Sequence, residues 1–112
     1  LAATVELAGF AVKSASDGTQ AMQVLEHQPV QLVVSDVQMD GMDGFELLRE
    51  IRLMGFTRHT PVIMLSGRTQ SAERIKCYQL GAQDYVTKPF NPEELREVVK
   101  KNVNPIHFSA TW

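Results

Sequence analysis

The sequence predicts an α/β fold with a doubly wound, mostly parallel sheet and helices on both faces. Two observations predict it. Short apolar runs rich in β-branched residues occur at residues 30–35, 60–66 and 84–87, a pattern typical of strands buried on both faces. Segments of about ten residues with apolar side chains at helical spacing lie between these runs. Strands that alternate with such helices are joined by right-handed crossovers in a parallel sheet.

The residues before the first buried strand predict a helix end, an edge strand and a complete helix. Residues 1–8 carry apolar side chains near helical spacing, and residues 10–16 alternate in the manner of an edge strand. Asp17 is a turn residue that can cap a helix over residues 19–28, which Pro29 would end.

After each buried strand, the sequence predicts a loop and then a helix. Asp43 is expected to cap a helix over residues 43–54, and residues 71–80 form the next helix. The sequence NPEE at residues 91–94 combines a cap residue, a proline at the first helical position and a glutamate three residues after the cap. It predicts the start of a last helix, whose apolar face extends to Val103.

Composition predicts one globular domain. The chain has 112 residues, of which 44% are apolar and 21% charged. We place the domain at residues 1–103 and interpret residues 104–112 as a C-terminal tail or linker.

The net charge of −2 gives no basic footprint for nucleic acid, and no apolar stretch is long enough to span a membrane. One cysteine, Cys77, excludes an internal disulfide and indicates a cytoplasmic location.

A polar residue follows or ends each of the three buried strands. These residues are Asp36, Ser66 and Lys88. Because ligands of open parallel sheets bind outside the carboxyl ends of the strands, we expect the three side chains to converge there. Each one alone is most often a structural strand-end residue. Their joint occurrence favours a site.

The three side chains together suit phosphoryl chemistry. The Asp36 carboxylate can attack phosphorus and form an aspartyl phosphate, whose oxygens then need donors. The Ser66 hydroxyl and the Lys88 ammonium can supply two of them. Backbone N–H groups just beyond the strands can supply more, at Val37, Gln38 and Gly67. A divalent cation is also expected, since phosphoryl transfer requires charge neutralisation, and Mg²⁺ prefers carboxylate and carbonyl oxygens.

The chain resembles the receiver domains of two-component response regulators. The matching stretches are VVSDVQMDGMDGFELL (33–48), TPVIMLSG (60–67), GAQDYVTKPFNPEEL (81–95) and, more weakly, AGFAVKSASDGTQAM (8–22). The resemblance covers about residues 1 to 103. It implies a flavodoxin-like sheet and a phosphorylation-dependent signalling switch of a two-component phosphorelay.

The resemblance assigns roles to the predicted site. It implies that Asp36 accepts a phosphoryl group from a histidine kinase or phosphotransfer domain, and that Asp36 and the Gln38 carbonyl bind Mg²⁺. Ser66 would be the hydroxyl that follows the phosphoryl group, Lys88 its cationic contact, and Tyr85 the switch aromatic. The Lys88–Pro89 bond is a position where the family tends to have a cis peptide. The domain would not be an enzyme beyond self-catalysed phosphotransfer and dephosphorylation.

Two features depart from the family pattern. The family's central first strand and the acidic pair that ends it are absent from this chain, and Asp40 stands where proline is usual. We therefore expect Mg²⁺ binding to be weak or absent in this chain, unless a segment upstream of Leu1 restores the pair. The alternative function is a phosphorylation-independent interaction module, or pseudo-receiver.

The expected partners follow from the same resemblance. A downstream output domain or protein would contact the surface formed by residues 84–103, and a dimer is left open. The domain itself is expected to bind neither nucleic acid nor membrane. A flavin or nucleotide enzyme on a similar sheet is disfavoured because no glycine-rich phosphate loop follows any predicted strand.

Overall fold

A computed structural model describes residues 17–28, 30–38, 42–67 and 71–102. The predicted helix end at residues 1–8, the predicted edge strand at 10–16 and the tail at 104–112 lie outside the described residues. The elements within them are α1 (Gly18–His27), β1 (Val33–Asp36), α2 (Gly44–Leu53), β2 (Val62–Ser66), α3 (Ser71–Gln79), β3 (Asp84–Thr87) and α4 (Pro92–Asn102).

The described strands form one parallel sheet in the order β1-β2-β3. Val33 pairs with Val62 at the start of β1, and Ser66 pairs with Thr87 at the end of β2. The predicted strands at 30–35 and 60–66 began too early. The ladder starts at Val62 because the preceding residue, Pro61, has no N–H and contributes only its carbonyl, which accepts from Val33 N at 2.9 Å.

Helices cover both faces of this sheet, as predicted. The side chains of β2 alternate, so that Val62 and Met64 face one cluster while Ile63 and Leu65 face another. The first cluster contains buried residues of α1, α2 and α3, namely Leu25, Leu47, Leu48, Ile51 and Cys77. The second contains Leu95 and Val99 of α4. None of the described helices combines the length and the apolar character needed to cross a bilayer.

The predicted helix caps are present. Asp43 accepts a hydrogen bond from Glu46 N at 2.9 Å and forms a complete capping box with it. Asn91 accepts from Glu94 N at 2.7 Å, and Asp17 caps α1 in the same way. These short-range contacts explain why the helix starts could be located from sequence.

Arg52, at the end of α2, binds the loops that precede β2 and β3. These loops lie at the amino ends of the strands, which we call the amino edge of the sheet. Its guanidinium donates two hydrogen bonds to Gly81 O, at 2.7 and 3.0 Å, and one to Thr60 O at 2.7 Å. Gly81 has a φ of 104°, which favours glycine. A Cβ atom there would also lie 2.8 Å from Arg52 Nε. The loops that enter β2 and β3 are therefore tied to α2 through their main-chain carbonyls.

Cys77, on the inner side of α3, is fully buried within the first core cluster. Burial, with a further contribution from the Glu73 carboxylate, raises the pKa of the Cys77 thiol to about 11. The thiol therefore stays protonated at neutral pH. Cys77 is therefore a small core residue and not a reactive one.

Candidate functional site

The three polar residues predicted at the strand ends lie at one edge of the sheet. Asp36 is the last residue of β1 and Ser66 the last residue of β2. Lys88 directly follows β3, and its N–H donates to Ser66 O at 2.7 Å. The Lys88–Pro89 peptide bond is cis, as expected. The parallel register therefore places a carboxylate, a hydroxyl and an ammonium on adjacent strands.

Asp36 and Lys88 form an ion pair through Oδ1 and Nζ. Their side chains are 32% and 45% exposed, so the pair lies partly open to solvent at the sheet edge, although the Oδ1 atom itself is buried. An ion pair of this exposure contributes little to stability, on the order of 0–1 kcal/mol, because water screens it. Its position is therefore better explained by binding or chemistry at Asp36 than by folding.

Gly44 fixes the main chain behind Asp36. The Gly44 N–H donates to Val37 O at 2.8 Å, which brings the start of α2 against the end of β1. A Cβ atom at Gly44 would lie 2.2 Å from Asp36 O and 2.7 Å from Val37 Cα. Only glycine allows this approach without a backbone shift, so one of the two glycines in the sequence DGMDG has a definite steric role.

The hydroxyl of Ser66 donates to Glu73 Oε1, in the first turn of α3. Tyr85 OH donates to the same carboxylate oxygen at 2.8 Å, so the two hydroxyls share one acceptor. Both are buried, each 5% exposed, so the predicted switch aromatic lies inside the molecule. Burial raises the pKa of Tyr85; the Ser66 hydrogen bond lowers it, and the Glu73 carboxylate raises it further.

The backbone donors predicted for the site differ in their availability. The Val37 N–H donates to Leu65 O at 2.8 Å and extends the ladder, so it is not available to a ligand in this structure. Gln38 and Gly67 are exposed beyond the ends of β1 and β2. A Cβ atom at Gly67 would meet nothing within 4 Å, so the space beside its backbone is open.

Glu73 is the residue of this region that sequence reasoning missed. In the sequence, Glu73 is only an acidic residue in the first turn of a helix, where the helix dipole favours it. The spacing between Ser66 and Glu73 in the sequence was a weak indication that the two side chains are in contact. A residue in the first turn after a short strand-to-helix loop returns to the end of that strand, and so it can reach the strand's last side chain.

The oxygen ligands at the edge suit Mg²⁺ in kind but are few. Asp36 supplies a partly exposed carboxylate, and Gln38 follows with its backbone carbonyl. Across residues 17–28, 30–38, 42–67 and 71–102, no group of three acidic, histidine or cysteine side chains could hold an ion. Mg²⁺ usually keeps several waters and uses one or two carboxylates. The described ligands therefore fit a weak, largely hydrated ion.

Comparison with known proteins identifies the family. Residues 1–100 match the response regulator receiver domain, and the chain belongs to that family. It is 44% identical over 92 residues to the regulatory protein VanRc of Enterococcus gallinarum, covering 82% of this chain and 38% of VanRc. It is 38% identical over 103 residues to the transcriptional regulatory protein TctD of Salmonella typhimurium, covering 88% and 45%. The chain thus spans less than half the length of these relatives.

Solved receiver domains share the fold. The chemotaxis protein CheY4 of Vibrio cholerae matches with a TM-score of 0.85 and 31% identity, over 90% of this chain and 84% of that one. The receiver domain of the sensor histidine kinase PA1611 of Pseudomonas aeruginosa matches with a TM-score of 0.82 and 30% identity, over 91% and 84%. That structure holds a magnesium ion coordinated in the active site cleft. The predicted α/β, flavodoxin-like fold is confirmed.

Proposed function

We propose that this receiver domain is a phosphorylation-dependent signalling switch in which Asp36 accepts a phosphoryl group from a histidine kinase or phosphotransfer domain. The observation that carries the proposal is the ion pair between the partly exposed side chains of Asp36 and Lys88, beside Ser66 at the carboxyl edge of the sheet. An acceptor must be reachable by a donor protein, and the Asp36 side chain is 32% exposed.

The transfer exchanges one bond for another. A carboxylate oxygen of Asp36 attacks the phosphorus of a phosphohistidine, and an O–P bond forms as the P–N bond breaks. The electron pair of the broken bond goes to the imidazole nitrogen, which takes up a proton. The Lys88 ammonium offsets the charge on the phosphoryl oxygens. The chemistry of the domain is limited to this transfer and to hydrolysis of the acyl phosphate, and it turns over no external substrate.

The new group then rearranges its surroundings. The phosphoryl group carries about −1.5 to −2 charge and three strong acceptor oxygens, and it replaces the single negative charge of the carboxylate. The Ser66 hydroxyl donates to one of these oxygens, and the N–H groups of Gln38 and Gly67 donate to others. Because Tyr85 and Ser66 donate to the same oxygen of Glu73, a movement of the Ser66 hydroxyl changes the contacts around Tyr85. Phosphorylation thereby favours one of two conformations of the edge.

Mg²⁺ is the proposed cofactor. The Asp36 carboxylate and the Gln38 carbonyl would hold it weakly, with water in the other positions. When bound, the ion neutralises charge on the phosphoryl oxygens. The magnesium ion in the PA1611 receiver domain supports this proposal.

The proposed domain comprises residues 1–103, followed by a tail or linker at 104–112. Its output surface is formed by residues 84–103, because Tyr85 lies in β3 and α4 follows at once. A downstream output domain or protein would bind there, in the cytoplasm. The net charge of −2 gives the domain itself no footprint for nucleic acid.

The test replaces Asp36 in the intact protein. We expect Asp36→Asn to abolish phosphoryl incorporation from a small-molecule phosphodonor, because an amide cannot form the acyl phosphate. Incorporation is measured with radiolabelled donor and by intact mass. Asp43→Asn is the matched control, since asparagine caps a helix as well as aspartate does, and it should label like the wild type. Labelling that persists in Asp36→Asn would refute the proposal, and so would an unlabelled wild type.

A further inference from the structure

We propose that Glu73 is a positioning residue that holds the hydroxyl of Ser66 and thereby opposes phosphorylation of Asp36. The inference rests on the proposed function and adds a residue to it. In the unphosphorylated chain, the Glu73 carboxylate is the acceptor for Ser66. A phosphoryl group on Asp36 must draw that hydroxyl away from it.

Two hydroxyls converge on one carboxylate oxygen. Ser66 and Tyr85 both donate to Oε1 of Glu73, although they lie 7 and 12 residues away from it in sequence. Ser66 and Tyr85 are buried and Glu73 is half-buried. Hydrogen bonds to an ionised acceptor are about twice as strong as those between neutral groups, and burial strengthens them further. The cluster is therefore a defined arrangement and not a surface contact.

The neighbouring residue of α3 holds Tyr85 from another side. The guanidinium of Arg74 lies over the Tyr85 ring, 5.4 Å from its centroid. A cation at this distance is attracted to the ring face. Glu73 thus contacts the hydroxyl of Tyr85, and Arg74 contacts its ring. α3 therefore stabilises the inward position of Tyr85 before any phosphorylation.

Competition follows from the chemistry of the serine side chain. A hydroxyl has one proton to donate. While the Ser66 proton is directed to Glu73, it is not directed to an oxygen of a phosphoryl group on Asp36. Any stabilisation that Ser66 gives to the phosphorylated form is therefore reduced by the strength of its bond to Glu73. An anionic acceptor imposes a larger reduction than a neutral one.

The decisive variant is Glu73→Gln in the intact protein. Glutamine keeps the shape and the acceptor oxygen but removes the charge. We expect phosphoryl incorporation from a small-molecule donor to become about threefold to tenfold faster, which corresponds to weakening one charge-assisted hydrogen bond. Glu50→Gln, an exposed position on α2, is the matched control and should label at the wild-type rate. Circular dichroism verifies that both variants are folded.

A second readout needs no phosphorylation. In a Tyr78→Phe background, the remaining phenol of Tyr85 is titrated by near-ultraviolet absorbance. Glu73→Gln should lower the pKa of Tyr85, because the carboxylate both accepts its proton and repels the phenolate. Glu50→Gln should leave it unchanged. A Tyr85 pKa that does not move would place Glu73 away from the hydroxyls and overturn the inference.

A double-variant cycle separates this role from general stability. If Glu73 acts through the hydroxyl, Glu73→Gln should not accelerate labelling in a Ser66→Ala background. An equal acceleration in both backgrounds would overturn the inference, as would unchanged labelling of Glu73→Gln itself. In either of these cases a wild type that labels on Asp36 leaves the proposed function intact. A wild type that does not label refutes both.

Discussion

The two edges of the same sheet are built from different kinds of contact. At the amino edge, the bonds of Arg52 to described residues go to main-chain carbonyls, those of Gly81 and of Thr57, Arg58 and Thr60 in the loop between α2 and β2. At the carboxyl edge, Asp36 and Lys88 bind each other through side chains that are partly exposed. A carbonyl is present in every conformation of the loop, whereas a side-chain pair can be exchanged for another partner. The amino edge is suited to stability and the carboxyl edge to change.

The cationic side chains of Arg52 and Lys88 illustrate the difference between the two edges. Burial lowers the pKa of Arg52, yet an arginine remains charged at physiological pH and presents several donors in a fixed plane. It satisfies carbonyls that would otherwise be partly buried without donors. Lys88 is a flexible point charge on a side chain that is 45% exposed. It can follow an oxygen that moves, which a phosphoryl acceptor site requires.

Gly44→Ala is the strongest test of this difference between the two edges, because Gly44 fixes the main chain behind Asp36 at the carboxyl edge. The new Cβ atom would collide with main-chain atoms of Asp36 and Val37, so the backbone must shift. We expect a loss of about 3 kcal/mol in the free energy of unfolding, measured by urea denaturation. Labelling of Asp36 should also slow in the folded fraction. A variant with wild-type stability would show that α2 can move away from β1 freely. The control is Gly55→Ala, where a Cβ atom would meet nothing within 4 Å.

Arg52→Ala tests the amino edge. Its removal deprives the carbonyls of Gly81 and Thr60 of the Arg52 donors, and the packing of its aliphatic part is lost. We expect a loss of about 2 kcal/mol in the free energy of unfolding. At temperatures where the variant is folded, the labelling rate of Asp36 should remain that of the wild type. A lower rate in the folded variant would show that the two edges are coupled. The neighbouring Arg49→Ala, on an exposed position of α2, is the control.

Lys88→Met gives the smallest expected change in stability. The ion pair with Asp36 is solvent-screened, so the free energy of unfolding should change by less than about 1 kcal/mol. Labelling of Asp36 should fall by at least about tenfold, since the phosphoryl oxygens lose their cation. Lys100→Met, on an exposed position of α4, should alter neither quantity. A large loss of stability with unchanged labelling would reverse the roles assigned to the two edges.

The fold and the strand-end residues could be predicted because each depends on local sequence. Buried strands, helix caps at Asp43 and Asn91, and the polar residue at each strand end are visible in short windows. The parallel topology then places Asp36, Ser66 and Lys88 on one edge by geometry alone. Strand starts were less accurate, because the extent of β2 depends on where Pro61 interrupts the ladder.

The contacts that depend on tertiary structure could not be predicted. Nothing near Arg52 in sequence indicates that it binds Gly81, which is 29 residues away. The commitment of the Val37 N–H to Leu65 depends on the register between two strands. The Glu73 cluster depends on how α3 lies against the end of β2. Each of these is set by the packing of elements and not by the preference of a residue.

The buried thiol of Cys77 has a practical consequence for experiments on this chain. Only the thiolate reacts with maleimides and disulfide reagents, and a pKa of about 11 within a closed core keeps that form scarce. Alkylation of the native chain therefore requires α3 to open. The reaction rate then reports how often that helix detaches. A fluorophore can be attached to a cysteine introduced on the surface while the native residue stays in place.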